Sequence, residues 1–164
     1  MNHVYISLGS NVGDRKKAIT LAIHKLSTFA VVERISSLIE TQPQEVQEPQ
    51  RKYINGVVKI LTELSPSELL QKLQEVELES GRSLSEKGLK KARPIDLDIL
   101  TFNQDILQYQ KLEIPHPRMH DRDFVLIPLD EIAPKWKHPV LNQTARELLS
   151  RLGSFQGRQN SNSI

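Results

Sequence analysis

An α+β fold built on an antiparallel sheet is predicted for this 164-residue chain, and three observations carry that expectation. Short β-branched or alternating runs recur at Val4–Leu8, Val31–Ile39, Tyr53–Leu61 and Ala92–Leu100. Two stretches of helical spacing separate them, so the order is strand, helix, strand, strand, helix, strand. A capping signature fixes where the second helix begins.

The elements follow in order. Val4 to Leu8 alternates as a strand does and closes at Gly9-Ser10-Asn11, which reads as a tight strand-to-helix turn. The stretch through Gly13 is glycine-rich, yet a Walker-type phosphate loop requires Lys after its last glycine, and Asp14 stands there. Ala18, Ile19, Ala22, Ile23 and Leu26 then repeat at helical spacing. Val31–Ile39 and Tyr53–Leu61 are the next expected strands, joined by the polar loop Gln42–Lys52. Ser65-Pro66-Ser67-Glu68 places Ser at the cap, Pro at the first helical position and Glu three residues after the cap, which opens a helix. Leu69, Leu70, Leu73 and Val76 form its apolar stripe, and Gly81 is its expected stop. A second polar loop, Arg82–Lys91, leads into the fourth strand. The order matches the ferredoxin-like βαββαβ pattern. Extra C-terminal strands and helices are expected after it: a short strand pair over Ile106–Leu112, an apolar run Val125–Leu129 interrupted by Pro128, and helical spacing over Leu141–Leu152. Residues 1–152 read as a single domain, and 153–164 as a polar tail expected to fray.

Composition narrows the function classes. Lys and Arg number 22 against 20 Asp and Glu, a net +2 that is too mild to imply nucleic-acid binding from bulk charge. Cysteine is absent, which excludes disulfides and thiolate metal sites and suits a reducing cytoplasm. No stretch approaches membrane-spanning length, and the N-terminus lacks a basic flank followed by a long apolar core.

The chemistry-bearing residues concentrate in few places. In Ala92-Arg93-Pro94-Ile95-Asp96-Leu97-Asp98-Ile99-Leu100, strand alternation puts Asp96 and Asp98 on one face and Ile95, Leu97 and Ile99 on the other. Two close carboxylates repel unless a cation sits between them, and hard oxygen ligands suit Mg²⁺ shared with phosphate oxygens. A solvated strand edge is the other reading of the same pair. The segment Ile114-Pro115-His116-Pro117-Arg118-Met119-His120-Asp121-Arg122-Asp123-Phe124 gathers His and Arg. His116 and His120 have the four-residue spacing of helical zinc ligands, but Pro115 and Pro117 argue against a continuous helix. Two prolines instead fix an extended loop that can present His116, Arg118 and Arg122 to an anion. Gln74 and Glu77 share one helix face, and Tyr53 and Phe124 flank apolar runs; alone, both pairs read as ordinary surface and core.

Together these motifs resemble the 6-hydroxymethyl-7,8-dihydropterin pyrophosphokinase family of folate biosynthesis. The likeness runs from Tyr5-Ile6-Ser7-Leu8-Gly9-Ser10-Asn11 to Ala133-Pro134 and rests on the 92–100 motif, Glu40-Thr41-Gln42-Pro43, Tyr53-Ile54-Asn55, and the His116 and Arg122-Asp123-Phe124 segments. It implies a cytoplasmic, monomeric transferase that moves pyrophosphate from ATP to 6-hydroxymethyl-7,8-dihydropterin and releases AMP, with ATP as co-substrate and two Mg²⁺ ions on Asp96 and Asp98. It implies catalytic roles for Arg82, Arg93, Asp96 and Asp98. ATP contacts fall on Gln74, Glu77, Arg93, Ile99, His116, Arg118 and Arg122, and pterin contacts on Thr41, Gln42, Tyr53, Asn55, Asp96 and Phe124. Loops 42–52 and 82–91 are implied to close over the reactants; the second has one Arg and no Trp, with Lys87, Lys90 and Lys91 as its other cations. No nucleic-acid or membrane partner is implied. A Mg²⁺-dependent phosphohydrolase using the same Asp pair remains open, as does a ferredoxin-like RNA-binding module. The chain's four Phe, three Tyr and one Trp weigh against the latter.

Overall fold

The structure, a computed structural model, describes residues 1–41, 52–80 and 94–159, with the side chains of Tyr109 and of 154–159 excepted. Gln42, Arg82, Arg93, Gly81 and, apart from Lys52, both expected lid loops lie outside the described residues.

The expected βαββαβ order is present. Strands β1 (Asn2–Ser10), β2 (Val31–Ile35), β3 (Ile39–Thr41), β4 (Tyr53–Thr62) and β5 (Asp96–Phe102) form one sheet in the order β2-β4-β1-β5, with β3 also paired to β4. Every pairing is antiparallel. Helices α1 (Arg15–Leu26) and α2 (Pro66–Glu79) pack on one face over Ile6, Leu8, Ile60 and Leu97. The capping box is complete: Ser65 Oγ accepts from Glu68 N–H, and Glu68 Oε1 accepts from Ser65 N–H. On the other face, Tyr5, Val57 and Leu100 are covered by helices α3 (Asp123–Ile132) and α4 (Ala145–Gln159). That cover ends partway along the sheet, and Ser7, Gly9, Asn55, Asp96 and Asp98 share the same face beyond it.

Four local readings change. Gly9 and Ser10 belong to β1 and are no turn, because Gly9 and Ser10 pair with Asn55 and Ile54. The single strand expected at Val31–Ile39 divides into β2 and β3: Ser36 Oγ accepts from Val57 N–H at 2.9 Å, so a side chain replaces the backbone acceptor and the ladder breaks. The strand pair forms later than Ile106–Leu112, as a hairpin of β6 (Leu107–Tyr109) and β7 (Leu112–Ile114) with Gln110 at φ 47° in its turn. Pro128 does not interrupt its run, which is helical. Losing one helical hydrogen bond costs about 3 kcal/mol, whereas burying Val125, Leu126, Leu129 and Ile132 returns roughly 1.5–3 kcal/mol each. Helix α4 starts after Thr144, whose side chain exchanges capping bonds with Glu147.

The segment before α4 is pinned by His138, which is 4% exposed. Its Nδ1 accepts from the N–H groups of Val140 and Leu141, both at 3.1 Å, so it must stay unprotonated. Burial, and then the neighbouring His120, hold its pKa below the ordinary imidazole value of 6.5. Below that value the unfolded chain takes up a proton that the folded chain excludes. This contribution to stability is therefore present above pH 6.5 and is lost as the pH falls toward the depressed folded value. The melting temperature is expected to drop between pH 7.5 and pH 5 by more in the wild type than in His138→Gln, checked by calorimetry across that range.

Candidate active site

The site is laid out by sheet register. Asn55, Gly9 and Asp96 are lateral neighbours on β4, β1 and β5, and Val57, Ser7 and Asp98 form the next row. Strand alternation puts Asp96, Asp98, Ser7, Gly9, Tyr53 and Asn55 on the face that α3 and α4 leave open, while Leu97 and Ile99 enter the opposite core. Both aspartates are half-buried. They lie on β5, an edge strand of the sheet among the described residues, partly shielded from solvent.

At the row's far side, Thr41 pairs with Tyr53 across β3 and β4, and Thr41 Oγ1 is hydrogen-bonded to Asn55 Oδ1. Two strand spacings, about 10 Å, separate Asn55 from Asp96. Gly9 lies between them. A Cβ there would stand 2.9 Å from Asn55 Nδ2 and 3.4 Å from Tyr53 Cδ1, so both side chains fold across bare backbone. Gly9 and Ser7 are site residues that the sequence reading missed; an isolated glycine continuing a strand is the signal that marks close approach. Gly9→Ala is expected to displace Asn55 and Tyr53 and weaken binding at this end about tenfold, roughly 1.4 kcal/mol, with the fold retained. Substrate titration beside thermal melting checks it.

The other flank comes from the loop after β7. His116 N–H donates to Leu100 O at 2.8 Å, docking the loop against β5. Its Nδ1 accepts from Arg118 N–H at 3.1 Å, leaving Nε2–H as the free donor of a neutral ring. Burial holds the His116 pKa down and Arg122 adds to it, against the opposing pull of Asp98, Asp96 and Glu113. These influences put His116 among both aspartates and Arg122. Arg122 stacks its guanidinium 5.5 Å from the Phe124 ring centroid, and its Nε is buried without a hydrogen-bond partner among the described residues. A buried guanidinium nitrogen in that state calls for a hydrogen-bond acceptor, and an anionic oxygen is the strongest one. Arg118 is half-exposed and 4.0 Å from Asp121.

A cavity of about 780 Å³ opens beside Asp98, lined by Gln74, Ile99, His116 and the hairpin residues Gln110 and Lys111. Gln74, Ile99 and His116 thus meet as expected. Glu77 does not line this cavity. It is 1% exposed, and its Oε2 accepts from Leu97 N–H at 2.9 Å, on the edge of β5 that β1 leaves free. Its placement is that of a buttress for the acidic strand, because a helical residue one turn past Leu73 points into the core beneath β5.

Among the described residues no group of three or more His, Cys, Asp or Glu could hold a metal ion. Two carboxylates on one sheet face, with a buried arginine nitrogen on the same flank of the site that has no hydrogen-bond partner among the described residues, are a donor set that fits a Mg²⁺ ion bringing its own phosphate oxygens.

The family model described as 7,8-dihydro-6-hydroxymethylpterin-pyrophosphokinase (HPPK) matches residues 5–134. The 2-amino-4-hydroxy-6-hydroxymethyldihydropteridine pyrophosphokinase of Aquifex aeolicus is 41% identical over 147 residues, covering 90% of each chain. Its Bacillus subtilis counterpart is 42% identical over 135 residues, covering 80% of this chain and 79% of its own. The Dictyostelium discoideum folic acid synthesis protein FOL1 is 37% identical, and this chain spans 22% of its length. Among solved structures, Plasmodium falciparum HPPK-DHPS superposes with a TM-score of 0.77 at 17% identity, covering 98% of this chain and 46% of that one, a likeness of fold.

Proposed function

The chain belongs to the 7,8-dihydro-6-hydroxymethylpterin-pyrophosphokinase family, and from that premise we propose how its own residues divide the work of transferring pyrophosphate from ATP to 6-hydroxymethyl-7,8-dihydropterin. The observation that carries the reading is the open-face register of Asp96 and Asp98 beside Gly9 and Ser7.

The pterin occupies the Thr41, Tyr53 and Asn55 end, with Phe124 as its second ring partner. A flat, polar heterocycle is held by stacking and by a few polar groups, and these residues supply both. Asp96 stands on the same row as Asn55 and Gly9, so it is the carboxylate nearer the pterin's hydroxymethyl arm. ATP lies in the cavity beside Asp98, with its nucleoside end toward Gln74 and Ile99 and its phosphates toward His116 and Arg122. Asp96 and Asp98 would hold Mg²⁺, two ions in this proposal, which when bound neutralise the triphosphate. His116 Nε2–H donates to a phosphate oxygen, and Arg122 turns its Nε–H to another.

In the reaction the hydroxymethyl oxygen forms a bond to the β-phosphorus. The bond from that phosphorus to the α,β-bridging oxygen breaks, its electron pair staying on AMP, and the hydroxyl proton leaves toward Asp96 or water. Alignment and charge neutralisation carry most of the acceleration in such transfers, so no strong base is required. Chain placement follows the same reading: a cytoplasmic monomer, in keeping with the absence of cysteine. No described helix is long and apolar enough to cross a membrane.

Incubation with ATP, Mg²⁺ and the pterin alcohol tests the reaction. AMP and a pyrophosphorylated pterin in equal amounts are expected. ADP or inorganic phosphate as the main product would instead indicate a phosphohydrolase.

A further inference from the structure

We propose that Arg15 is a positioning residue for the pterin end of the site, bridging the ends of β3 and β4 so that Thr41, Tyr53 and Asn55 keep one arrangement. The inference deepens the proposed function, and its binding half rests on that reading.

The bridge runs through one nitrogen. Arg15 Nη1 donates to Glu40 Oε1 at 3.1 Å and to the Lys52 carbonyl at 2.8 Å. Glu40 directly precedes Thr41, the last residue of β3, and Lys52 directly precedes Tyr53, the first residue of β4; Thr41 and Tyr53 are register partners. One side chain thus grips the neighbour of each member of that final pair. Thr41 Oγ1 is in turn hydrogen-bonded to Asn55 Oδ1, and Asn55 Nδ2 lies over Gly9.

Strand β3 needs such a fastening. It has three residues and pairs only with β4 among the described residues, so few ladder bonds hold it. The chain just ahead of it is tied to α3, where Glu131 Oε1 accepts from the N–H and the hydroxyl of Ser37. At the end that carries Thr41, the tie is Arg15.

Helix stability does not account for a cation at this position. Arg15, Lys16 and Lys17 open α1 at the positive end of its dipole, with no acidic residue in the first turn. Solvated surface ion pairs contribute little to stability, but the Arg15 side chain is only 19% exposed and its second acceptor is backbone. Asp14 caps the helix by accepting from Lys17 N–H, which fixes where the Arg15 side chain begins.

Steady-state kinetics and ¹⁵N spectra of the full chain test the bridge. In the ligand-free protein, Arg15→Gln is expected to shift the Asn55 side-chain amide and the Tyr53 backbone amide. The pterin KM should rise about tenfold while kcat and the ATP KM stay within about twofold, the pattern of binding lost equally from ground and transition states. Glu40→Ala should reproduce part of this, and the double variant should do no more than Arg15→Gln alone, because both remove one bridge. Additive effects, an ATP KM that rises in parallel as a merely destabilised fold would give, or unmoved Asn55 and Tyr53 resonances would each overturn the positioning role. Asn55→Ala separates this inference from the reading beneath it. A pterin KM raised there but not in Arg15→Gln would also overturn the role of Arg15. Asn55→Ala without effect, beside shifted resonances in Arg15→Gln, would instead overturn the placing of the pterin and leave the bridge standing.

Discussion

Asp98→Asn and Asp96→Asn are each expected to lower kcat/KM by about 10³-fold or more, roughly 4 kcal/mol of transition-state stabilisation, without unfolding the chain. The two carboxylates share one sheet face on a single strand, and their separation is fixed by the antiparallel pairing of Asp96 with Gly9 and Asp98 with Ser7. An amide cannot replace the charge that gathers a divalent cation and its triphosphate. It does, however, relieve the repulsion between neighbouring carboxylates. The melting temperature of the metal-free protein should therefore hold or rise slightly in both variants, while its increase on adding Mg²⁺ and nucleotide disappears. Calorimetry with and without ligand separates this outcome from simple destabilisation.

Glu77→Ala is the second large effect, and it falls on stability first. The carboxylate is buried, and Oε2 accepts the Leu97 N–H on the side of β5 where no strand pairs among the described residues. Removing the acceptor strands a buried amide donor and opens space under the strand, at a cost of about 3 kcal/mol. Because Leu97 sits between Asp96 and Asp98, the loss also loosens the acidic strand, and the ATP KM should rise with it. Glu77→Gln keeps an acceptor at the same place. It is expected to recover most of the stability and most of the KM, as denaturant melts and steady-state kinetics would register.

The sequence disclosed the frame of this molecule better than its joints. Alternation in β1, β4 and β5 and the Ser65 capping box are local signals, and local signals survive in the fold. The division of β2 from β3 was hidden, because it depends on Ser36 Oγ reaching Val57 N–H 21 residues away. Pro128 misled for a related reason: a helix-breaking residue is tolerated where tertiary burial outweighs one lost bond. Within the proposed site, the shared sheet face of Asp96 and Asp98 was legible from strand alternation alone. His116 and Arg122 were legible as a basic loop, but their meeting with the aspartates is a matter of how that loop docks on Leu100. Glu77 looked like an ordinary surface residue because helical spacing gives no sign of which strand edge lies beneath it. Gly9 was read as a turn: a glycine continuing a strand does signal close approach, but that the approaching side chains are Asn55 and Tyr53 depends on the register of a distant strand.

Anomalous diffraction from crystals grown with Mn²⁺, the α,β-methylene ATP analogue and the pterin examines the acidic face most directly. Manganese peaks are expected within coordinating distance of the Asp96 and Asp98 carboxylates and of the analogue's phosphates, with His116 and Arg122 on those same phosphates. Manganese absent from that pair, or a nucleotide bound elsewhere on the chain, would contradict it.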